Sequence, residues 1–367
     1  MKPTGSRPIH QLSRGRGPAV HRYYDVELEE PGGERLLYFE FDGESIPGPG
    51  CVVVCDADGQ EARQVGFAEH AIGHIGAGQA WLGRGVVGFC PSKSPPTLTR
   101  IIDLADGSRR QIDLEVRSFH NETGLAIAQR AGAQNADDAR DPRRQLLVCD
   151  LHSGAERTVL TTQIILSEHP LRDRCRRDLV RFQNPKWSPD GSQLFAVFTD
   201  EGHEATATGT RWRPAKVKSL IVVDADGHNP RYLGEFGHHP MWAPSGRYLI
   251  AHNRRADGEG QDLVAFDLDG GGPRPLIERF TGIHSTLDRA EHRVISDAFD
   301  YPETGDGSVL LYDLATGGCE VLARGPHHKR HHFDGSHIHP AWSRDEKRIF
   351  FNHAATGSPQ LYAINLA

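Results

Sequence analysis

A short apolar run ending in Asp, a turn ending in Gly and a second short run recur along this chain. The unit appears as Val54-Cys55-Asp56-Ala57-Asp58-Gly59, Ile102-Asp103-Leu104-Ala105-Asp106-Gly107 and Cys149-Asp150-Leu151-His152-Ser153-Gly154. It returns as Val223-Asp224-Ala225-Asp226-Gly227, Phe266-Asp267-Leu268-Asp269-Gly270 and Tyr312-Asp313-Leu314-Ala315-Thr316-Gly317. Asp at the start and Gly at the end of such a turn is hairpin chemistry, because Gly supplies the positive φ and Asp bonds its own turn. The steps between the Asp positions 56, 103, 150, 224, 267 and 313 are 47, 47, 74, 43 and 46. A four-stranded propeller blade occupies about 40–50 residues, so only the step of 74 is too long. It contains a short basic helical insertion expected at about 161–181, and a polar loop at 130–144 interrupts the third repeat.

Each turn leads into a closing strand, from Ala62-Arg63-Gln64-Val65 to Cys319-Glu320-Val321-Leu322. The seventh repeat ends at Leu361-Tyr362-Ala363-Ile364-Asn365-Leu366-Ala367 without one. Arg7-Pro8-Ile9-His10-Gln11-Leu12 has the missing character, and pairing it there removes an exposed sheet edge. The pattern predicts an all-β chain: one domain over 1–367, a seven-bladed β-propeller of four-stranded antiparallel blades closed by its N-terminal strand. A doubly wound α/β fold is disfavoured, since amphipathic helices do not separate the strands.

Composition narrows the function. A net charge of -7 gives no reason to expect nucleic acid, and no apolar run reaches the length of a membrane span. The first residues lack the apolar core of a secretory signal. Six scattered cysteines without metal-type pairing read as free thiols, and the expected compartment is the cytoplasm. Gly-x-Ser-x-Gly elbows, phosphate-binding glycine loops and Cys-x-x-Cys pairs do not occur. The unusual feature is 21 histidines beside 2 methionines.

Several of those histidines open the blades. Asn184-Pro185-Lys186-Trp187, His239-Pro240-Met241-Trp242, His284-Ser285-Thr286-Leu287 and His339-Pro340-Ala341-Trp342 share one spacing, and His21-Arg22-Tyr23-Tyr24 matches it near the start. The innermost strand of a blade lines the channel, so His21, His239, His284 and His339 are expected to converge, with His238 and His337 beside them. His337 and His339 are two apart before a strand-like run and would share a face if extended. Asp334 stands just upstream. A lone histidine at a strand start is usually a hydrogen-bonded structural residue. A column of them left unliganded would repel once protonated, which favours a metal or an anionic substrate. His327, His328, His331 and His332 read instead as a solvated basic loop with Lys329 and Arg330, or as an anion-binding rim.

These residues together resemble the oligogalacturonate lyase family of cytoplasmic seven-bladed propellers. The resemblance rests on His21-Arg22-Tyr23-Tyr24, Gly237-His238-His239-Pro240-Met241-Trp242, Gly282-Ile283-His284-Ser285 and Asp334-x-x-His337-x-His339-Pro340. It implies a manganese site of three histidines and a glutamine, which fall on His284, His337 and His339 with Asp334 in the glutamine's place. Asp for Gln keeps an oxygen ligand and adds a negative charge. Nitrogen ligands with one oxygen also suit Fe, Ni or Zn. The family's further active-site histidine falls on His239, with His21 nearby. Its expected arginine base has no unique match among Arg211, Arg213, Lys216 and Lys218, of which Lys218 is preferred. Arg22, His238, Asn184 and Arg213 are expected to bind acidic sugar units.

The implied chemistry is β-elimination from a uronic acid: the C5 proton beside the carboxylate leaves to a base, and the C4 oxygen departs. The implied partner is an acidic oligosaccharide, with neither nucleic acid nor membrane, and the sequence leaves the oligomeric state open. Two other readings stand beside it. One is a non-catalytic TolB- or WD40-like propeller scaffold for a protein partner; the other is a lyase for another uronate linkage, such as rhamnose–glucuronate.

Overall fold

The computed structural model describes residues 7–15, 17–33, 35–92, 98–130, 144–206, 209–300, 306–326 and 335–366. The chain forms seven four-stranded antiparallel blades, and the fold is a seven-bladed β-propeller. In six blades the third strand ends on the Asp of the recurring turn: Gly48–Asp56, Thr99–Asp103, Gln145–Asp150, Lys218–Asp224, Gln261–Asp267 and Asp306–Asp313. The turns behave as their chemistry requires. Gly59 and Gly317, for example, have φ of 75° and 68°, and Asp56 Oδ1 accepts from the backbone N–H groups of Asp58 and Gln60 at 3.1 and 2.6 Å.

The strands Ala341–Trp342, Arg348–His353 and Gln360–Asn365 make the seventh blade, and Ile9–Gln11 completes it. Ile9 pairs with Ile364 and Gln11 with Tyr362, antiparallel. The N-terminal closure expected from the missing strand is therefore present.

The described residues fall into two compact units. The first holds blades 1, 2, 6 and 7. Blade 1 is built from Ala19–Val20, Arg35–Phe41, Gly48–Asp56 and Arg63–Ala71. Its strand Arg35–Phe41 shows why these segments are apolar on both faces. Leu37, Phe39 and Phe41 pack with Val87, Phe89 and Ile102 of blade 2, whereas Leu36 and Tyr38 pack with Phe350 and Leu361 of blade 7. Each fully buried side chain of this size contributes about 1.5–3 kcal/mol. Blades 6 and 7 meet through Ile295, Val309, Ile349, Phe351 and Ile364.

The second unit holds blades 3, 4 and 5. Its cores include Leu146, Phe182, Leu194 and Ile221 between blades 3 and 4, and Phe195, Leu220, Leu249 and Phe266 between blades 4 and 5. Two extra elements fill the long repeat step. Helix Thr162–Glu168 is capped by Thr161, whose Oγ1 accepts from Ile164 N at 3.2 Å, and turns follow it up to the strand at Arg181. The hairpin Gly202–Thr206/Gly209–Arg213 stands apart from the blade sheets. No helix among the described residues is long and apolar enough to cross a membrane. All six cysteines are free thiols.

Candidate metal centre

The first unit gathers imidazoles from four separate stretches of chain. His339 lies at ring-centroid distances of 4.4 Å from His284, 4.8 Å from His74 and 5.3 Å from His337. His74 and His337 are 4.4 Å apart, and His284 and His337 5.4 Å. His21 joins the edge of the group, 6.1 Å from His339. One ligand nitrogen each from His74, His337 and His339 fall within 4.8 Å of one another, close enough to hold a single ion.

Three buried polar side chains fix these segments together. Asp297, fully buried, accepts from His284 Nδ1 at 2.9 Å, from His284 N at 3.0 Å and from His339 N at 3.0 Å. Asn352 accepts from His21 N at 3.0 Å and donates to the His337 carbonyl at 3.0 Å. Gln79 accepts from Ala77 N at 3.1 Å and donates to the Val20 carbonyl at 3.3 Å, joining the loop after His74 to the strand before His21. That loop turns tightly at Gly76, where φ is +58° and a Cβ would meet Phe39 Cβ at 2.8 Å.

The local backbone at His339 departs from the strand expected. The strand starts only at Ala341, and His339 has φ of 48°. Residues before proline avoid helical conformations, and a non-glycine residue at positive φ costs about 1–3 kcal/mol unless its surroundings hold it there. The bond from His339 N to Asp297 is such a hold. His337 and His339 therefore converge through a strained, pinned loop rather than by strand alternation. Asn184 and His239 adopt the same positive φ, 45° and 52°, before Pro185 and Pro240.

Burial sets the protonation states. His339 is wholly buried, neither ring nitrogen has a hydrogen-bond partner among the described residues, and burial followed by the charges of His284, His74, His337 and His21 pushes its pKa well below 6.5. It is a neutral imidazole with a lone pair, the form that ligates a metal. Burial lowers His21 to about 4 against the raising effect of the His339 and Ile338 backbone and of Asp25 and Asp297. Asp297 is held below the usual carboxylate range: burial alone would raise it, but the charge and hydrogen bonds of His284 and the charge of His337 prevail. Tyr23 sits 4.5 Å from His339, 5.2 Å from His74 and 5.6 Å from His284. Burial and then Asp25 and Asp297 raise its pKa well above 10, so it is a phenol.

The donor set fits a divalent ion of borderline softness: clustered imidazole nitrogens, one pair of them on a ring, His339, with no hydrogen-bond partner among the described residues. His284 turns Nδ1 to Asp297, the carboxylate–histidine pairing that orients an imidazole and makes its other nitrogen more basic. Of the ligands expected from sequence, His337 and His339 belong to the grouped set and His284 packs against both. Asp334 lies outside the described residues, as do His327, His328, His331 and His332. His74, which sequence reasoning missed, takes the third place.

Arg22 is half-buried beside the cluster in sequence. Asn184, Arg213, Lys218, His238 and His239 belong to the second unit. There His239 has ring neighbours His252 at 5.6 Å and His238 at 5.7 Å. Lys218 lies with its ammonium 5.7 Å from the Phe236 ring. Burial, with the charge of Arg181, lowers its pKa against the raising effect of Glu201.

The neutral histidines carry a pH signature. His21 and His353 are held at about 4 by burial, and His339 well below 6.5. An unfolded chain would protonate all three near pH 6.5. Metal-free protein is thus expected to lose stability as pH falls below 6.5, by about 1.4 kcal/mol per pH unit for each histidine. The loss from His21 and His353 levels off near pH 4. Urea unfolding of chelator-treated protein across that range measures the slope, and a flat profile would show that these rings take up protons while folded.

Fold and site define a class: a β-propeller whose first unit buries a cluster of metal-competent histidines. Among solved structures, the chain superposes on an oligogalacturonate lyase in complex with manganese, with a TM-score of 0.71 and 16% identity, covering 99% of this chain and 94% of that one. An oligogalacturonate lyase from Vibrio parahaemolyticus gives 0.70 and 13% over 100% and 96%. The tricorn protease gives 0.56 and 12%, with 34% of its chain covered. At these identities the likeness is one of fold, and it meets the resemblance read from the sequence at that level. No protein-family model and no curated protein matches the chain by sequence.

Proposed function

We propose that this protein is a metal-dependent carbon–oxygen lyase that cleaves uronic-acid-containing oligosaccharides by β-elimination, with pectin-derived oligogalacturonates as the leading substrate. The observation that carries the reading is the group of half-buried His74 with buried His337 and His339, in a fold shared with oligogalacturonate lyases. His74, His337 and His339 would hold the ion, with His284 oriented beside them by Asp297. Manganese is the proposed metal, since the superposed lyase is a manganese complex; iron, nickel or zinc suit the same nitrogens. Bound there, a divalent ion supplies positive charge for a uronate carboxylate, making the adjacent C5 proton more acidic.

This chain's residues do the rest. The strained, pinned loop at His339 keeps the imidazoles in place before substrate arrives, the preorganisation that electrostatic catalysis needs. Lys218 is the proposed base, because its depressed pKa brings a free amine closer to neutral pH. His239 and His21 are proposed to assist the proton transfer, and Arg22, His238, Asn184 and Arg213 to bind the acidic sugar. We place the enzyme in the cytoplasm on the strength of its free thiols.

Chelator-treated protein restored with Mn²⁺ and given oligogalacturonate should release products with the ultraviolet absorbance of an unsaturated, conjugated uronate. Other uronate oligomers, including rhamnose–glucuronate, serve as parallel substrates. If none of them gains absorbance with metal present, the lyase reading is wrong.

A further inference from the structure

The hairpin Gly202–Thr206/Gly209–Arg213 projects from blade 4 and carries an exposed indole. Trp212 is 48% exposed, and the only other exposed large hydrophobic residues among those described are Phe67 and Ile164. The Arg181 guanidinium lies 5.9 Å from the Trp212 ring centroid, at cation–π distance. Only 12% of the Arg181 side chain is exposed.

The proposed base, Lys218, stands in the same row. Arg181 pairs across the sheet with Thr199, and Thr199 with Lys218. Directly opposed residues on neighbouring strands point to one face. Arg181 and Lys218 therefore flank the buried Thr199 on one face and at one end of blade 4. Glu201 lies 4.0 Å from Arg181, and it balances part of this charge. On the hairpin, Arg211 and Arg213 bracket Trp212 in sequence and alternate to its other face. Arg211 stands opposite Glu204 and Arg213 opposite Gly202 in the register.

We infer that Trp212, with Arg181, forms a second sugar-binding site: a uronate ring stacks on the indole while its carboxylate is drawn to the guanidinium. A flat aromatic face accepts the C–H side of any sugar, and the flanking guanidinium selects an acidic one. The choice of a uronate rests on the function proposed above. The placement of the site rests on the hairpin and blade 4 alone.

Calorimetric titration of the chelator-treated, intact protein with a galacturonate trimer, and with a neutral trisaccharide for comparison, tests the inference without turnover. Trp212→Ala should weaken binding of the acidic trimer about tenfold, and Trp212→Phe should keep most of it. Arg181→Gln should weaken the acidic trimer and leave the neutral one unchanged. Wild-type affinity in Trp212→Ala would overturn the site, as would failure of the wild type to bind the acidic trimer. The failures are separable. Elimination that is active and indifferent to Trp212 removes this site alone. Trp212-dependent binding without elimination removes the lyase reading and leaves the site.

Discussion

His337→Ala is expected to lose its metal and to lower elimination more than about 100-fold, since even outer-sphere partners of a metal site are worth 10–100-fold. His337 is buried, its ring packs within 4.4 Å of His74 and 5.3 Å of His339, and its nitrogen is one of the three grouped ligand atoms. Metal content and thermal unfolding together separate a lost ligand from a damaged fold. In chelator, the variant and the wild type should unfold at similar temperatures. With Mn²⁺, only the wild type should shift upward, because a ligand that binds the native state alone stabilises it. A variant that keeps the metal at wild-type stoichiometry would remove His337 from the site.

The second large effect belongs to a residue that touches no ion. Asp297→Ala should cost several kcal/mol of stability, a large share of the roughly 5–15 kcal/mol of a typical protein. The substitution strands the His284 ring N–H and the backbone N–H groups of His284 and His339, each at about 1–3 kcal/mol. It also releases the strained His339 loop and should weaken metal binding about 10–100-fold. Asp297→Asn should fall between, because the amide keeps an acceptor oxygen and turns an N–H₂ toward donors. The carboxylate of Asp297 is depressed by folding, so its contribution is complete above the unfolded value of about 3.9. It disappears as pH drops through the lower folded value. The deficit of the Asn variant should accordingly shrink in strong acid. Urea midpoints of Asp297→Ala equal to wild type near neutral pH would remove the tether from the account.

The fold was open to reading because its signal repeats. Six Asp-to-Gly turns at blade spacing told of the blades, and the missing closing strand told of Ile9–Gln11. Within the long step, the sequence pointed to the stretch after Thr161 but not to the hairpin ending at Arg213. Its strands are polar and lack the apolar alternation that marks a blade.

The site was half legible. His284 and His339 stood at positions the repeats made comparable, with His337 flanking them, and the three do pack together. His74 has no counterpart in other blades; it sits in the loop between blades 1 and 2, where only the density of Gly73, Gly76 and Gly78 marked an unusual turn. Asp297 left a clearer trace. Ser296 and Asp297 interrupt the strand Val294-Ile295-Ser296-Asp297-Ala298-Phe299, and a carboxylate buried in a blade demands a partner. The positive φ at His339 could not be read from sequence, since proline at the next position argues against it.

The most direct measurement is diffraction from crystals grown with Mn²⁺, with data collected at the manganese absorption edge. One strong anomalous peak bonded to imidazole nitrogens of His74, His337 and His339 is expected. A well-ordered map showing those three rings with no peak among them, or with the manganese held elsewhere, would contradict it.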